Sequence, residues 1–153
     1  MRSKDKEIKD KELMESILKR AITCRMGLSE NNVPYIVPLN FGYKNNFLYF
    51  HSAKEGRKID MIRKNNNICF EIDIDTKLLN AEKPCKWSMQ YYSVIGFGKA
   101  FLVEDLEEKR AALDIIMEHY AGKSSCEYPE ESVNKVTIIK VQIESMTGKK
   151  SGY

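Results

Sequence analysis

The chain has 153 residues and a mass of 17.7 kDa, with 42% hydrophobic and 31% charged residues; this predicts one globular domain with its own core, not a disordered or fibrous chain. Its 25 Lys and Arg against 22 Asp and Glu leave a net charge of +3, too mild for a nucleic-acid footprint, which needs clustered Lys and Arg. No apolar run approaches the roughly 18–20 residues that span a bilayer, and the charge-alternating start "MRSKDKEIKD" is not a signal peptide, so a cytoplasmic protein is expected, with no membrane and no nucleic-acid partner.

Residues 1–9 read as a solvated, frayed start, and residues 10–153 as the domain. Asp10 can cap a helix carrying Leu13, Met14, Ile17, Leu18 and Ala21 on one face, at helical spacing. The period then changes. "TCRMGLSENN" reads as a strand ending in a turn at Asn31–Asn32, and "VPYIVPLNFGY" alternates through Val33, Tyr35, Val37, Leu39, Phe41 and Tyr43. Pro34 and Pro38 cannot donate to a ladder, which predicts an edge or a bulge near Pro38. Asn45–Asn46 turns the chain into the strand "FLYFHSA", and "EGRKIDMIRKN" predicts a short helix with Ile59 and Ile62 inward. "NICFEIDID" predicts a strand with Ile68, Phe70, Ile72 and Ile74 on one face, followed by a loop over residues 76–86. A long strand, "KWSMQYYSVIGFGKAFLVE", comes next. Asp105 caps a third helix with Leu106, Leu113, Ile116, Met117 and Tyr120 inward and Gly122 at its end. "KVTIIKVQIESMTG" closes the chain. The order α-β-β-β-α-β-β-α-β is not the regular alternation of a doubly wound sheet; a small antiparallel barrel with peripheral helices fits it.

The most informative segment is "FHSAKEGRKID". A strand ends, the chain turns, and a helix starts with Arg57 and Lys58 in its first turn. Cations there oppose the helix dipole unless an anion lies between them. The plain alternative is a solvated helix start, because Ser52 and Glu55 match the S-x-x-E capping box. His51 precedes the turn; a lone histidine is more often structural than catalytic. His119, near the end of the third helix, suits the dipole there and carries no catalytic role. In "WSMQYYSVIGFGKA" the third glycine of a dinucleotide fingerprint would fall at Phe101, so that motif fails. Gly96 and Gly98 then mark a bulge, a barrel bend or the close approach of a flat ligand. Trp87, Tyr91, Tyr92 and Phe97 belong to a core or an interface, or wall a planar heterocycle. Asn40 can read a heteroaromatic edge or simply face water. The four cysteines form no C-x-x-C pair and none sits near a histidine, so they read as free buried thiols in a reducing compartment, with no metal site. No G-x-S-x-G elbow, H-E-x-x-H or Walker loop is present.

Taken in order, "VPLNFGY", "FHSAKEGRK", "SVIGFGKA", "EDLEEKRAALDIIMEHYAG" and "IESMTGK" resemble the Nim-type 5-nitroimidazole-resistance proteins. These are a branch of the pyridoxamine 5′-phosphate oxidase-like flavin-binding split barrels. The resemblance implies a mainly β (α+β) fold, a six-stranded antiparallel split β-barrel with peripheral helices. It implies a homodimer with two FMN molecules in clefts between subunits, FAD being the alternative flavin, and a small-molecule substrate. It implies that Ser52, Ala53, Arg57 and Lys58 handle the phosphate. Pro38, Leu39 and Asn40 would lie along the ring with His51 beside it, and Tyr92, Ser93 and Val94 would line the same cleft from either subunit. His51 is the candidate catalytic residue. One departure stands out. Pyridoxamine phosphate oxidases carry an Arg-x-x-Leu-Leu-Lys segment where this chain reads "VPLNFGY", and C-terminal substrate-binding arginines where it reads "TGKKSGY". The expected function is a flavoprotein reductase acting on a small oxidised acceptor such as a nitro group. The competing functions are a flavin or haem carrier without turnover and an oxidase of the pyridoxamine phosphate type.

Overall fold

A computed structural model describes residues 4–123 and 126–153. After a single 3-10 turn, the elements are β1 (Glu7–Ile8), α1 (Lys11–Arg20), β2 (Cys24–Glu30), β3 (Val33–Leu39), β4 (Gly42–Lys44), β5 (Phe47–Ala53), α2 (Arg57–Lys64), β6 (Asn67–Leu79), β7 (Ser88–Val103), α3 (Leu106–Ala121), α4 (Glu130–Asn134) and β8 (Val136–Ser151). All strand pairs are antiparallel. The sheet runs β3-β2-β6-β7-β8-β5-β4, with β1 added on β8. Its path ends at β3 on one side and β4 on the other, so hydrogen bonds do not close it: the barrel is split, as expected. Six of the strands have seven residues or more; β1 and β4 are short additions.

Turn chemistry sets the hairpins. Asn31 and Asn32 have φ of +50° and +62°, and Asn45 and Asn46 have +51° and +67°. Two successive left-handed residues make the tight turn whose twist matches paired strands, and asparagine tolerates that backbone. α1 is capped by Asp10, whose Oδ1 accepts from Glu12 N at 2.9 Å, and α3 by Asp105, whose Oδ1 accepts from Glu108 N at 2.9 Å. Gly122, at φ +63°, ends α3. The core collects Leu48, Phe50, Phe70, Ile72 and Val94 from the strands, Phe41 from the break between β3 and β4, and Ile17, Leu18, Ile59 and Met61 from the helices.

Five local readings are corrected. The N-terminus is not frayed throughout residues 1–9, because Glu7 and Ile8 pair with Lys149 and Gly148 and Ile8 is buried. The segment 33–43 is two strands on opposite margins of the sheet, parted at 40–41. Its first half is the edge strand that the prolines required. Gly42 opens the second half against α3, where a Cβ would lie 2.8 Å from the Ile115 carbonyl oxygen. β6 continues to Leu79 past a bulge at Asp75, φ +54°, and shortens the expected 76–86 loop. On α3 the buried stripe is Lys109, Ala112 and Ile116, while Met117 and Tyr120 are exposed. Of the four free cysteines only Cys24 is buried; Cys69 and Cys126 are half-buried and Cys85 is exposed.

Candidate functional site

Side chains alternate along β5. Phe50 and Ser52 are buried, whereas His51 and Ala53 are exposed. Adjacent strand residues point to opposite faces, so Ser52 and His51 do not present their side chains to the same side. Beyond Ala53 the chain bends and enters α2 at Gly56, whose φ is +122° and which has nothing within 4 Å of an added Cβ. Gly56 is the N-cap, and no side chain caps this helix. The expected Ser52–Glu55 capping box is therefore absent. Ser52 sits four residues ahead of the cap, on the buried face of β5. The first N–H groups of α2 are left without a side-chain acceptor.

Arg57 and Lys58 are the first two residues of this uncapped helix. Neither forms an ion pair among the described residues. The Arg57 guanidinium lies over the Tyr35 ring, 4.5 Å from its centroid. Lys58 is half-buried, and burial pulls its ammonium below the ordinary lysine value. Two cations and N–H groups without a side-chain acceptor meet at one helix start, where the first-turn acid Asp60 is paired with Arg63 and not with either of them.

Pro38 and Leu39 end β3, the strand that carries Tyr35, and Asn40 follows it. Pro38 and Asn40 are exposed, and Leu39 packs against the core. The Tyr35–Arg57 contact thus ties this strand to the start of α2. The third group stands apart. Ser52 registers with Thr137 at the beginning of β8, whereas Tyr92 registers with Lys150 at its end. Val94 is fully buried in the core. Tyr92 stacks on Tyr153 with ring centroids 4.1 Å apart, and Ser93 registers with Asp73 and Lys149 on the outer face. Within one chain, Tyr92–Val94 and the β5–α2 turn occupy opposite ends of β8.

The glycines of β7 are explained without a ligand. A Cβ on Gly96 would overlap the Phe70 ring, and one on Gly98 would overlap the Gln142 carbonyl oxygen where the β8 register slips. The outward positions of β7 form an apolar stripe: Met89, Ile95, Phe97 and Phe101 are all exposed. Trp87 is exposed as well, its indole N–H donating to the Ala81 carbonyl at 2.6 Å. Beside the stripe, the Arg25 guanidinium donates to Glu71 at 2.9 Å and to Asp73 at 2.5 Å.

Three cavities of the single chain lie away from the cations. One of about 490 Å³ is lined by Lys11, Tyr43, Glu118 and His119; another, of about 540 Å³, by Arg63, Asn65 and Phe101. A third, of about 350 Å³, lies on the outer face beside Ser93. We place the candidate site at the cations, where Arg57 and Lys58 stand at the start of a helix that no side chain caps. His119 is structural: its Nε2 is 2.7 Å from the Ala21 carbonyl oxygen, and its ring packs on Phe41. No cluster of metal-ligating side chains occurs among the described residues, and no helix there is long and apolar enough to cross a membrane.

Two features escaped the sequence reading. Tyr35 was read only as one of an alternating set. Lys109 sits on the apolar stripe of α3, three and seven residues before Ala112 and Ile116, and a lysine at such a position is itself the signal of a buried ion pair.

A family model described as pyridoxamine 5′-phosphate oxidase matches residues 10–150. The chain belongs to the pyridoxamine 5′-phosphate oxidase family. It is similar to a crystal structure from Bacteroides thetaiotaomicron described as a proposed 5-nitroimidazole antibiotic resistance protein. The identity is 44%, the match covers 94% of this chain and 85% of that one, and the TM-score is 0.83. Two more distant structures share the fold. A flavocytochrome from Azotobacter vinelandii is 18% identical over 96% of this chain and 70% of its own, with a TM-score of 0.81. An FAD-binding protein from Mesorhizobium loti is 18% identical over 94% and 96%, with a TM-score of 0.67. Among curated proteins none matches significantly. The resemblance to the nitroimidazole-resistance branch of this family, read from the motifs, holds across the chain.

Proposed function

We propose that this member of the pyridoxamine 5′-phosphate oxidase family is a cytoplasmic FMN-dependent oxidoreductase that reduces a small oxidised acceptor such as a nitroimidazole. The observation that carries the cofactor reading is the uncapped start of α2, with Arg57 and Lys58 lacking any carboxylate partner. These residues and the N–H groups behind Gly56 fit the phosphate of a flavin mononucleotide. Ser52 and Ala53 are the last two residues of β5 before that turn. Similarity to a nitroimidazole-resistance relative supports the acceptor class.

When bound, the flavin supplies the redox chemistry. Reducing a nitro group to a nitroso group consumes two electrons and two protons and releases one water. A flavin held by Arg57, Lys58 and the first N–H groups of α2 would supply those two electrons, drawn in turn from a reduced donor. The chain binds, orients and supplies protons. His51 is exposed at the strand end that leads into the phosphate turn, on the face opposite Ser52. That separation suits a histidine that serves the acceptor and leaves the anchoring of phosphate to its neighbours. An imidazole at that position can hand a proton to the acceptor.

The functional unit is a homodimer. Tyr92 and Ser93 stand at the far end of β8 from the cations, so they line the same flavin only when they come from a second chain. The exposed stripe of Met89, Ile95, Phe97 and Phe101 is the surface for that pairing.

Identification of the copurified small molecule by absorbance and mass spectrometry tests the cofactor. FMN with flavin bands near the wild-type protein's full occupancy is expected; a haem Soret band or a colourless protein overturns it. Single-turnover mixing of the photoreduced protein with a nitroimidazole tests the reaction. Reoxidation of the flavin with loss of the nitro absorbance is expected, and a reduced flavin indifferent to the nitro compound leaves a carrier role. His51→Ala should keep the flavin while lowering turnover by about 10²-fold, the lower range for general acid catalysis.

A further inference from the structure

Arg57 is held by a ring rather than by an acid. Its guanidinium carbon lies 4.5 Å from the centroid of Tyr35, and it forms no ion pair among the described residues. The distinction matters for a residue that must bind an anion. A carboxylate that immobilised Arg57 would consume its N–H donors and neutralise its charge. An aromatic face does neither: the cation is drawn to the negative face of the π system, while the in-plane donors stay free for a bidentate phosphate contact.

Tyr35 is itself well placed for this. It is half-buried against the main core and registers with the buried Leu28 on β2. Its strand is the sheet edge, where no further strand competes for the space. The remaining cation of the site, Lys58, is half-buried and lies over no aromatic ring among the described residues.

We infer that Tyr35 is a positioning residue for the anion site. Its ring pre-orders the Arg57 guanidinium at the start of α2 and so sets the preference for a phosphorylated flavin over the unphosphorylated one. This rests on the phosphate reading above. The contact is made by the ring, so the phenolic hydroxyl is dispensable and only the aromatic face is required.

The test compares FMN and riboflavin affinities for the apoprotein of the wild type, Tyr35→Phe and Tyr35→Leu, with thermal unfolding as the check on folding. Wild type should bind FMN more tightly than riboflavin. Tyr35→Leu, which keeps an apolar side chain on the core, should lose FMN affinity by about threefold to thirtyfold, the span of exposed to desolvated cation–π contacts. Its riboflavin affinity should stay within about twofold. Tyr35→Phe should match wild type for both ligands. A Tyr35→Leu protein that keeps the wild-type FMN-to-riboflavin ratio overturns the inference, whether its affinities are unchanged or fall together. So does a Tyr35→Phe protein as impaired as Tyr35→Leu, which would assign the effect to the hydroxyl. A wild type that does not discriminate between the ligands overturns the phosphate reading itself, and the role of Tyr35 with it.

Discussion

The Lys109 ammonium is buried to 2% exposure and lies 3.0 Å from Oε2 of Glu104, whose side chain is 56% exposed. Lys109 also donates to the Val136 carbonyl at 2.7 Å, and the Thr137 hydroxyl donates to Glu104 Oε1 at 2.6 Å. This knot joins the start of α3 to the end of β7 and the start of β8, directly across from Ser52, the register partner of Thr137. Removing the acid leaves a buried ammonium with one carbonyl. Glu104→Ala should therefore destabilise the fold by about 3 kcal/mol, the lower range for breaking a buried pair, since Glu104 remains partly hydrated. Lys109→Met, which removes the charge and fills the space, should cost less. Urea unfolding of the two variants checks the order; a larger loss for Lys109→Met would contradict it.

The same knot predicts an acid limb. The Thr137 hydroxyl first, and Lys109 second, hold the Glu104 carboxyl below its ordinary value. A carboxyl depressed in the folded state adds stability that is complete above its unfolded pKa of about 4.3 and is lost as pH falls through the folded value. Urea midpoints followed from pH 7 downward should fall below about pH 4.3 in the wild type. Glu104→Gln should flatten part of that limb, and identical pH profiles would show that other carboxylates carry it.

Gly98 faces backbone, and Gly96 faces a ring. The Gly98 clash is with the Gln142 carbonyl at the β8 bulge, with the Gln142 carbonyl carbon also at 3.0 Å. At Gly96 the obstacle is Phe70, fully buried, together with the Ser145 carbonyl oxygen at 2.9 Å. Neither neighbour can swing aside. Gly96→Ala and Gly98→Ala should each cost about 1–3 kcal/mol, the range for overpacking, and Gly98→Ala should in addition shift the β7–β8 register. Amide exchange across Gln142–Ser145 would report that shift; native protection there would refute it.

For Lys58, the expected signature is selective loss. Lys58→Ala should weaken FMN binding by about 1.5–3 kcal/mol, the range for hydrogen bonds to charged groups, and leave riboflavin nearly unaffected. Isothermal titration of both ligands measures this, and equal losses would move the phosphate elsewhere.

The apolar stripe on β7 predicts the assembly. Phe97 is 55% exposed and stands between the Cys69 and Ser145 strand positions on the outer face. Phe97→Asp would place a charge in that stripe near Glu71 and Asp73, where burial already raises the Glu71 carboxyl. Sedimentation should show a dimer for wild type and a monomer for this variant. The monomer should also lose its flavin, because the proposed cleft is shared by two chains. A monomeric variant with normal flavin affinity would separate the site from the interface.

Local chemistry was legible in the sequence because it depends on neighbours along the chain. The Asn-Asn turns, the Asp10 and Asp105 caps, the Gly122 stop and the inward face of Ile68, Phe70 and Ile72 follow from backbone preference and period alone, and the structure contains each. The cation pair at the head of α2 was legible for the same reason. What the tertiary structure decided involves partners distant in sequence. Ser52 fails as a cap because pairing with Thr137 commits its side chain to the buried face of β5. Met117 and Tyr120 lose the core to Lys109 and Ala112 because α3 packs on β4 and β5 at a rotation its own period cannot specify. The split of 33–43 follows from Gly42 meeting Ile115, and the support of Arg57 by Tyr35 joins an edge strand to a helix start. Such contacts arise only when the chain has closed on itself, and side-chain type along one segment does not encode them.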